Sequence, residues 1–212
     1  MLIRAIGSVA GFILAVVIVS VAVAATGDPR QRDTAVGMAH ATSALLPAAK
    51  VGAGWEATDA RPGTSVCTGP LKPNESDLIE IGSAWGPIYG RTGTDHRVQT
   101  VFQTVEVFTS SSNANTAWSR AVKVAVECMA RELHDARMTV TREARLSLAH
   151  VTGHVADFRV AGVSNAGTFY VDQLLVGAGN ATSNVLLTSF ARPVNASFEE
   201  KLVRAIAARL RS

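Results

Sequence analysis

The chain has 212 residues, of which 48% are hydrophobic, 17% charged and 6% aromatic. That balance excludes intrinsic disorder, collagen-like repeats and low complexity, and the length suits one or at most two domains. A formal charge of only +3 does not imply nucleic acid as a partner.

Arg4 is followed by an apolar run from Ala5 to about Thr26 and then by the polar turn Gly27-Asp28-Pro29-Arg30. A run of roughly twenty residues lies at the lower range for spanning a ~30 Å hydrocarbon layer as a helix, and it exceeds the ~7–15 residues of a typical signal core. Ala22-Val23-Ala24 nevertheless has the small-x-small form of a cleavage site, with the cut expected after Ala24. Residues 1–26 therefore read as a signal peptide or an N-terminal membrane anchor, 27–34 as a linker and 35–212 as an extracytoplasmic domain, membrane-anchored or secreted. The cytoplasmic membrane is the partner this segment implies, and no cysteine follows the run to accept a lipid anchor.

Cys67 and Cys128 are the two cysteines of the chain, and in an oxidising compartment they are expected to pair as a disulfide. Neither lies in a C-x-x-C element, which argues against a redox or metal pair.

In the domain itself, Ala35, Met38, Ala41 and Leu45 recur at helical spacing before Pro47, so the first element is a helix. Four prolines and four glycines within 47–75 predict loop, with a short strand around Ser65 to Thr68. Residues 77–89 predict a strand interrupted by Gly82 and Pro87. Arg97 to Phe108 alternates apolar and polar positions as a strand does. The polar run Thr109 to Asn113 supplies N-cap side chains for a helix from about Ala114 to Ala136, whose core face is Trp118, Val122, Ala125, Met129 and Leu133. Four extended segments follow at hairpin spacing, over 138–148, 154–163, 168–176 and 184–190. A capping box at Ser197-Phe198-Glu199-Glu200 opens an amphipathic helix carrying Leu202, Val203, Ile206 and Leu210. This order predicts an α+β fold with a mainly antiparallel sheet packed by helices in a layer sandwich, preceded by the N-terminal hydrophobic helix.

The strand ending Val105-Glu106-Val107-Phe108, the Ser110-Ser111-Ser112-Asn113-Ala114 entry into a helix with Trp118 and Cys128, and the meander ending in the helix Phe198 to Leu210 together resemble a family. It is the extracytoplasmic sensor-type domains of actinobacteria, which include the extracellular domain of PknH-like kinases and related lipoproteins. The resemblance covers roughly residues 35–210 and implies an α/β sandwich with a solvent-facing cleft that binds a ligand or partner. Such domains commonly carry more than one disulfide, whereas this chain can form one, and it lacks both a kinase domain and a lipid-anchor cysteine.

A search for reactive groups yields little. Gly162 to Gly167 superficially matches a nucleophile elbow, but its second glycine comes one position late and its context predicts a hairpin turn. His150 and His154 have the spacing of a zinc pair on a helix, yet Thr152-Gly153 predicts a turn. Arg142, Arg145 and Arg159, with Arg131 and Arg137, read as a solvated face interleaved with acids. Trp55, Trp85 and Tyr89 stand in Gly/Pro-rich segments where aromatics can line a binding cleft. The resulting expectation is a non-catalytic, ligand- or partner-binding, sensor-like domain of a bacterial cell envelope protein, with no cofactor and no catalytic or metal residues assigned. Its partner is an unknown small ligand or an envelope protein. The alternatives are a secreted hydrolase using His150, His154, Asp157 and Ser164, or an envelope scaffold.

Overall fold

A computed structural model describes residues 32–58, 71, 73–92, 98–148 and 153–212. The expected leader, the strand near 65–68, Cys67 and His150 lie outside the described residues. Among the described residues no helix is long and apolar enough to cross a membrane.

Helix α1 (Ala35–Ala44) and the single turn α2 (Ala48–Val51) precede strands β1 (Glu56–Thr58), β2 (Glu80–Trp85), β3 (Ile88–Thr92) and β4 (Val98–Phe108). The long helix α3 (Ser111–Asp135) leads to β5 (Thr139–Leu146), β6 (His154–Ser164), β7 (Gly167–Ala178) and β8 (Ala181–Phe190), and α4 (Ala196–Arg209) closes the chain. The eight strands form one sheet in the order β1-β3-β4-β8-β7-β6-β5, with β2 also paired to β4. Every strand pairing is antiparallel. The fold is therefore α+β, as the order of elements predicts.

The predicted interruption of residues 77–89 has a clear structural form. β2 pairs with Thr104–Phe108 and β3 with Val98–Val101, so the two lie end to end along one side of β4. Gly86 donates its N–H to the Gln103 carbonyl at 2.8 Å, and Pro87, which has no N–H to offer, ends the first half.

α3 carries the chain from the middle of the sheet to its far edge, and the β5–β8 meander returns to β4. One face of the sheet lies under α3, where Ala125, Met129 and Leu133 meet Phe102, Phe158, Val160, Val171 and Leu175. The opposite face lies under α1, α2 and α4, where Ala41, Ala44, Val51, Leu202, Val203 and Ile206 meet Val101, Val105, Leu174, Val176, Val185 and Leu187. Strands β6, β7 and β8 are thus buried on both faces, and that fact governs the chemistry described below.

Local signals explain the helix ends. Ser110 caps α3, its hydroxyl accepting from the Asn113 N–H at 3.2 Å. α4 differs from the expected capping box: Asn195 is its N-cap and accepts from the Ser197 N–H at 2.8 Å. Asparagine caps as well as serine does, and within this helix Glu199 faces inward, where it is fully buried.

Candidate functional site

Residues of odd number on β6 and even number on β7 point to the α4 side of the sheet, as Val155 with Leu174 and Val176 show by their shared core. Asp157 and Arg159 of β6 and Asp172 of β7 follow that alternation. Arg159 stands directly opposite Asp172 in the register, and Glu199 descends onto the same spot from α4.

The result is a buried cluster of three carboxyls around one guanidinium. Arg159 Nε donates to Asp172 Oδ1. Its Nη2 donates to Asp172 Oδ2 at 3.1 Å, to the Val194 carbonyl at 3.0 Å and to Glu199 Oε1 at 2.8 Å. Asp172 and Glu199 are completely buried, Asp157 is 1% exposed and the Arg159 side chain 13% exposed. The fork geometry of the Arg159–Asp172 pair is the arrangement in which an interior charge pair is best compensated.

Burial pushes Glu199 up to about 8, an effect reinforced by Asp172 and Asp157 and opposed by Arg159. Glu199 therefore holds a proton at neutral pH; its Oε1 accepts from Arg159, and its Oε2 is buried without a hydrogen-bond partner among the described residues. Asp172 is raised by burial and held back by the Arg159 contacts. Asp157 is pushed up to about 7 by burial and then by Asp172, with Arg159 acting the other way. Neither carboxyl oxygen of Asp157 has a hydrogen-bond partner. An interior carboxyl without a donor is costly in its charged form and unusual in either form.

Asp157 is also among the described residues that line a pocket of about 410 Å³, with Arg145, Leu146, Ser147, Leu148, Gly153 and Val155. That size falls within the range of small-molecule sites. Leu148 and Val155 belong to the α4-side core, while Ser147 and Gly153 are exposed at the rim. The Arg145 guanidinium is turned to the other face, 5.6 Å above the Phe158 ring.

A further acid, Glu106 of β4, is half-buried on the α3 face of the sheet. Glu106 is pushed up to about 8 by burial and then by Glu75, and it accepts from the Thr182 hydroxyl at 3.4 Å.

The residues expected from sequence fall in several places. Trp55 and Tyr89 both join the α4-side core: Trp55 stacks on Phe198 with ring centres 5.4 Å apart and lies under Arg91, and the Tyr89 hydroxyl donates to the Leu46 carbonyl at 3.0 Å. Trp85, at the end of β2, is 54% exposed. Cys128 is buried on α3. Ser164 accepts from the Ala166 N–H at 3.2 Å and opens the β6–β7 hairpin, so Gly162 to Gly167 is the turn its context predicts. His154 packs edge-on against Trp118, 5.1 Å between ring centres, on the α3 side. β6 therefore puts His154 and Asp157 on opposite faces and Ser164 at its far end, about 33 Å from His154 at ~3.3 Å per residue. These three residues do not form a hydrolytic triad. Arg159 is likewise no part of a solvated arginine face.

The Asp157–Arg159–Asp172–Glu199 cluster is what reading the sequence missed. The available signal was that β6, β7 and β8 are apolar at both odd and even positions, which leaves no solvent face for the charges they carry. Among the described residues no three His, Cys, Asp or Glu side chains converge to hold a metal ion.

No family model and no curated protein matches the chain. Among solved structures it is similar to the extracellular domain of PknH from Mycobacterium tuberculosis, with a TM-score of 0.52 and 11% identity, over 85% of this chain and 98% of that one. At that identity the likeness is one of fold, and it matches the family whose resemblance is visible in the sequence.

Proposed function

We infer that the chain is a non-catalytic, sensor-like domain of a bacterial cell envelope protein, working outside the cytoplasmic membrane and binding a small ligand or another envelope protein. One observation carries this reading: the fold is shared with an extracellular domain over nearly all of that domain. The apolar run before the domain supports it, because a segment of that length directs a chain to or through the membrane. In this reading residues 1–26 are the leader or anchor, 27–34 the linker and 35–212 the working domain, with Cys67 paired to Cys128. Of the three aromatics expected at a cleft, Trp85 offers the accessible ring.

Fractionation with protease treatment of intact spheroplasts, followed by intact-mass measurement, tests the reading. The domain is expected to be degraded from outside or recovered from the medium, with a mass two hydrogens short of the dithiol form. A mass beginning at Ala25 identifies the leader as cleaved. Full-length protein in the cytosol with two reactive thiols would overturn the reading.

A further inference from the structure

The layer made by α1 and α4 has an outer surface that the core does not use. Val36, His40 and Ser43 stand at helical steps along one flank of α1, and that flank meets the end of α4. His40 Nε2 donates to the Leu210 carbonyl at 3.1 Å, and Arg209 donates to the Ser43 carbonyl. Val36, at the head of the row, is 78% exposed and Met38 is 37% exposed, and α1 carries no carboxylate, lysine or arginine. α4 is the opposite in character. Its buried residues are Glu199, Leu202, Val203, Ile206 and Ala207, which leaves Lys201, Arg204 and, just past the helix, Arg211 exposed on the far side. The acid beside them, Glu200, accepts from Arg204 at 3.3 Å. The joined surface is therefore apolar on one helix and positive on the other, although the whole chain has 20 basic against 17 acidic residues. That pairing of properties is the one by which a protein lies on an anionic bilayer.

The length of chain before α1 selects the occupant. The apolar run ends near Thr26, and the chain is already fixed to the sheet at Arg32, whose N–H donates to the Glu80 carbonyl at 3.0 Å. The residues between them, 27–31, reach at most about 20 Å even when fully extended. A domain of this size is roughly 40 Å across. A leader held in lipid thus keeps the α1 corner of the domain close to the headgroups, and the short tether turns a weak surface attraction into an intramolecular one. We propose that the outer surface of α1 and α4 docks on an anionic lipid leaflet. Val36 and Met38 enter the headgroup boundary, and Lys201, Arg204 and Arg211 face the lipid phosphates.

This inference rests on the leader part of the reading above. The test is hydroxyl-radical footprinting, read by mass spectrometry, of the purified full-length protein in nanodiscs of phosphatidylcholine alone or with equal parts phosphatidylglycerol. Both discs hold the leader alike, so a difference between them reports the domain. Each basic side chain strengthens attraction to an anionic leaflet about fivefold, and oxidation of Val36 and Met38 is expected to fall at least about threefold in the anionic discs. The protection should vanish in roughly 1 M salt, where charges are screened beyond ~3 Å. Trp85 stands opposite Thr104 in the register and so shares the α3 face of the sheet with Phe102; its oxidation should be the same in both discs. Arg204→Gln combined with Arg211→Gln should restore oxidation at Val36 and Met38, and the lipid and salt series on the unaltered protein stands by itself if that variant does not fold. Protection that salt or the double variant leaves intact, or that extends equally to Trp85, would overturn the proposal. Equal oxidation in both discs would do the same, and equal protection in both that grows with protein concentration would make a second copy of the chain the occupant instead. If the leader is cut, the matured chain on vesicles of the same two compositions is expected to show the same protection. The discs report a face and the export experiment a compartment, so failure of one is distinct from failure of the other.

Discussion

Asp157 ionises at the expense of the fold. Its folded value of about 7 and the value of about 8 at Glu199 both lie above the ~4 of an unfolded carboxyl. The folded state thus holds protons that the unfolded chain has already released. Their contribution is fully present below about pH 4 and is lost as pH rises through the folded values. Urea denaturation should show a protein more stable at pH 5 than at pH 8.5, with a contribution from Asp157 of roughly 2–3 kcal/mol over that interval. Asp157→Asn should flatten the dependence and raise stability at the alkaline end. The partners of Arg159 should respond unequally. Glu199→Gln keeps the shape and neutrality of a protonated carboxyl, so it should shift stability at pH 7 by less than about 1 kcal/mol. Arg159→Leu strands Asp172 in the interior and should cost about 3–5 kcal/mol by the same measurement. These residues were hard to recognise from sequence because charges in a strand ordinarily mark its solvent face. Only the cover supplied by α4, 40 residues after Arg159, makes them interior.

At the scale of elements, α1 lies on β2 with almost nothing between them. A Cβ on Gly37 would overlap the Ile81 carbonyl, and one on Gly82 would overlap the backbone of Gly37 and Met38. Two glycines therefore face each other across the helix–strand contact. The Thr34 N–H donates to the Ile81 carbonyl at 2.8 Å and fixes the start of the helix there. Glycine inside a helix is usually improved by alanine, and here the sign should reverse. Gly37→Ala and Gly82→Ala should each lower stability by about 3 kcal/mol, the upper range for overpacking, as read by the midpoint of thermal unfolding. Both glycines are plain in the sequence, and Gly82 reads there as a strand irregularity, but their opposition depends on how two separated segments pack. Elements with their own periodicity were far more legible. The alternation of Val98–Phe108, the stripe from Ala125 to Leu133 and the hairpin at Asn165-Ala166 all stand where local pattern puts them, because each is set by contacts close in sequence or by one buried face.

For the whole molecule, the succession of helix, strands, helix, strands and helix was enough to foresee a layered α+β sandwich. The order of strands in the sheet was not, because nothing local states that β8 returns to lie beside β4. The proposed Cys67–Cys128 bridge belongs to this scale. It would close a loop of about sixty residues joining the segment before β2 to the middle of α3, a constraint worth roughly 4 kcal/mol in the chain-entropy picture. Thermal unfolding with and without reductant measures it. A drop in midpoint on reduction, repeated by Cys128→Ser, is the expected outcome, and an unchanged midpoint would count against the bridge.

The pairing of β4 with β8 has a further consequence for how the chain acquires its shape. Thr100 and Thr188 join hydroxyls across the centre of the sheet at 2.6 Å although 88 residues separate them. While synthesis is in progress β4 carries a bare flank, since its neighbour is the last strand to be made. Closing so long a loop is slow, so the β4–β8 seam is expected to set late, after the hairpins of the meander have formed.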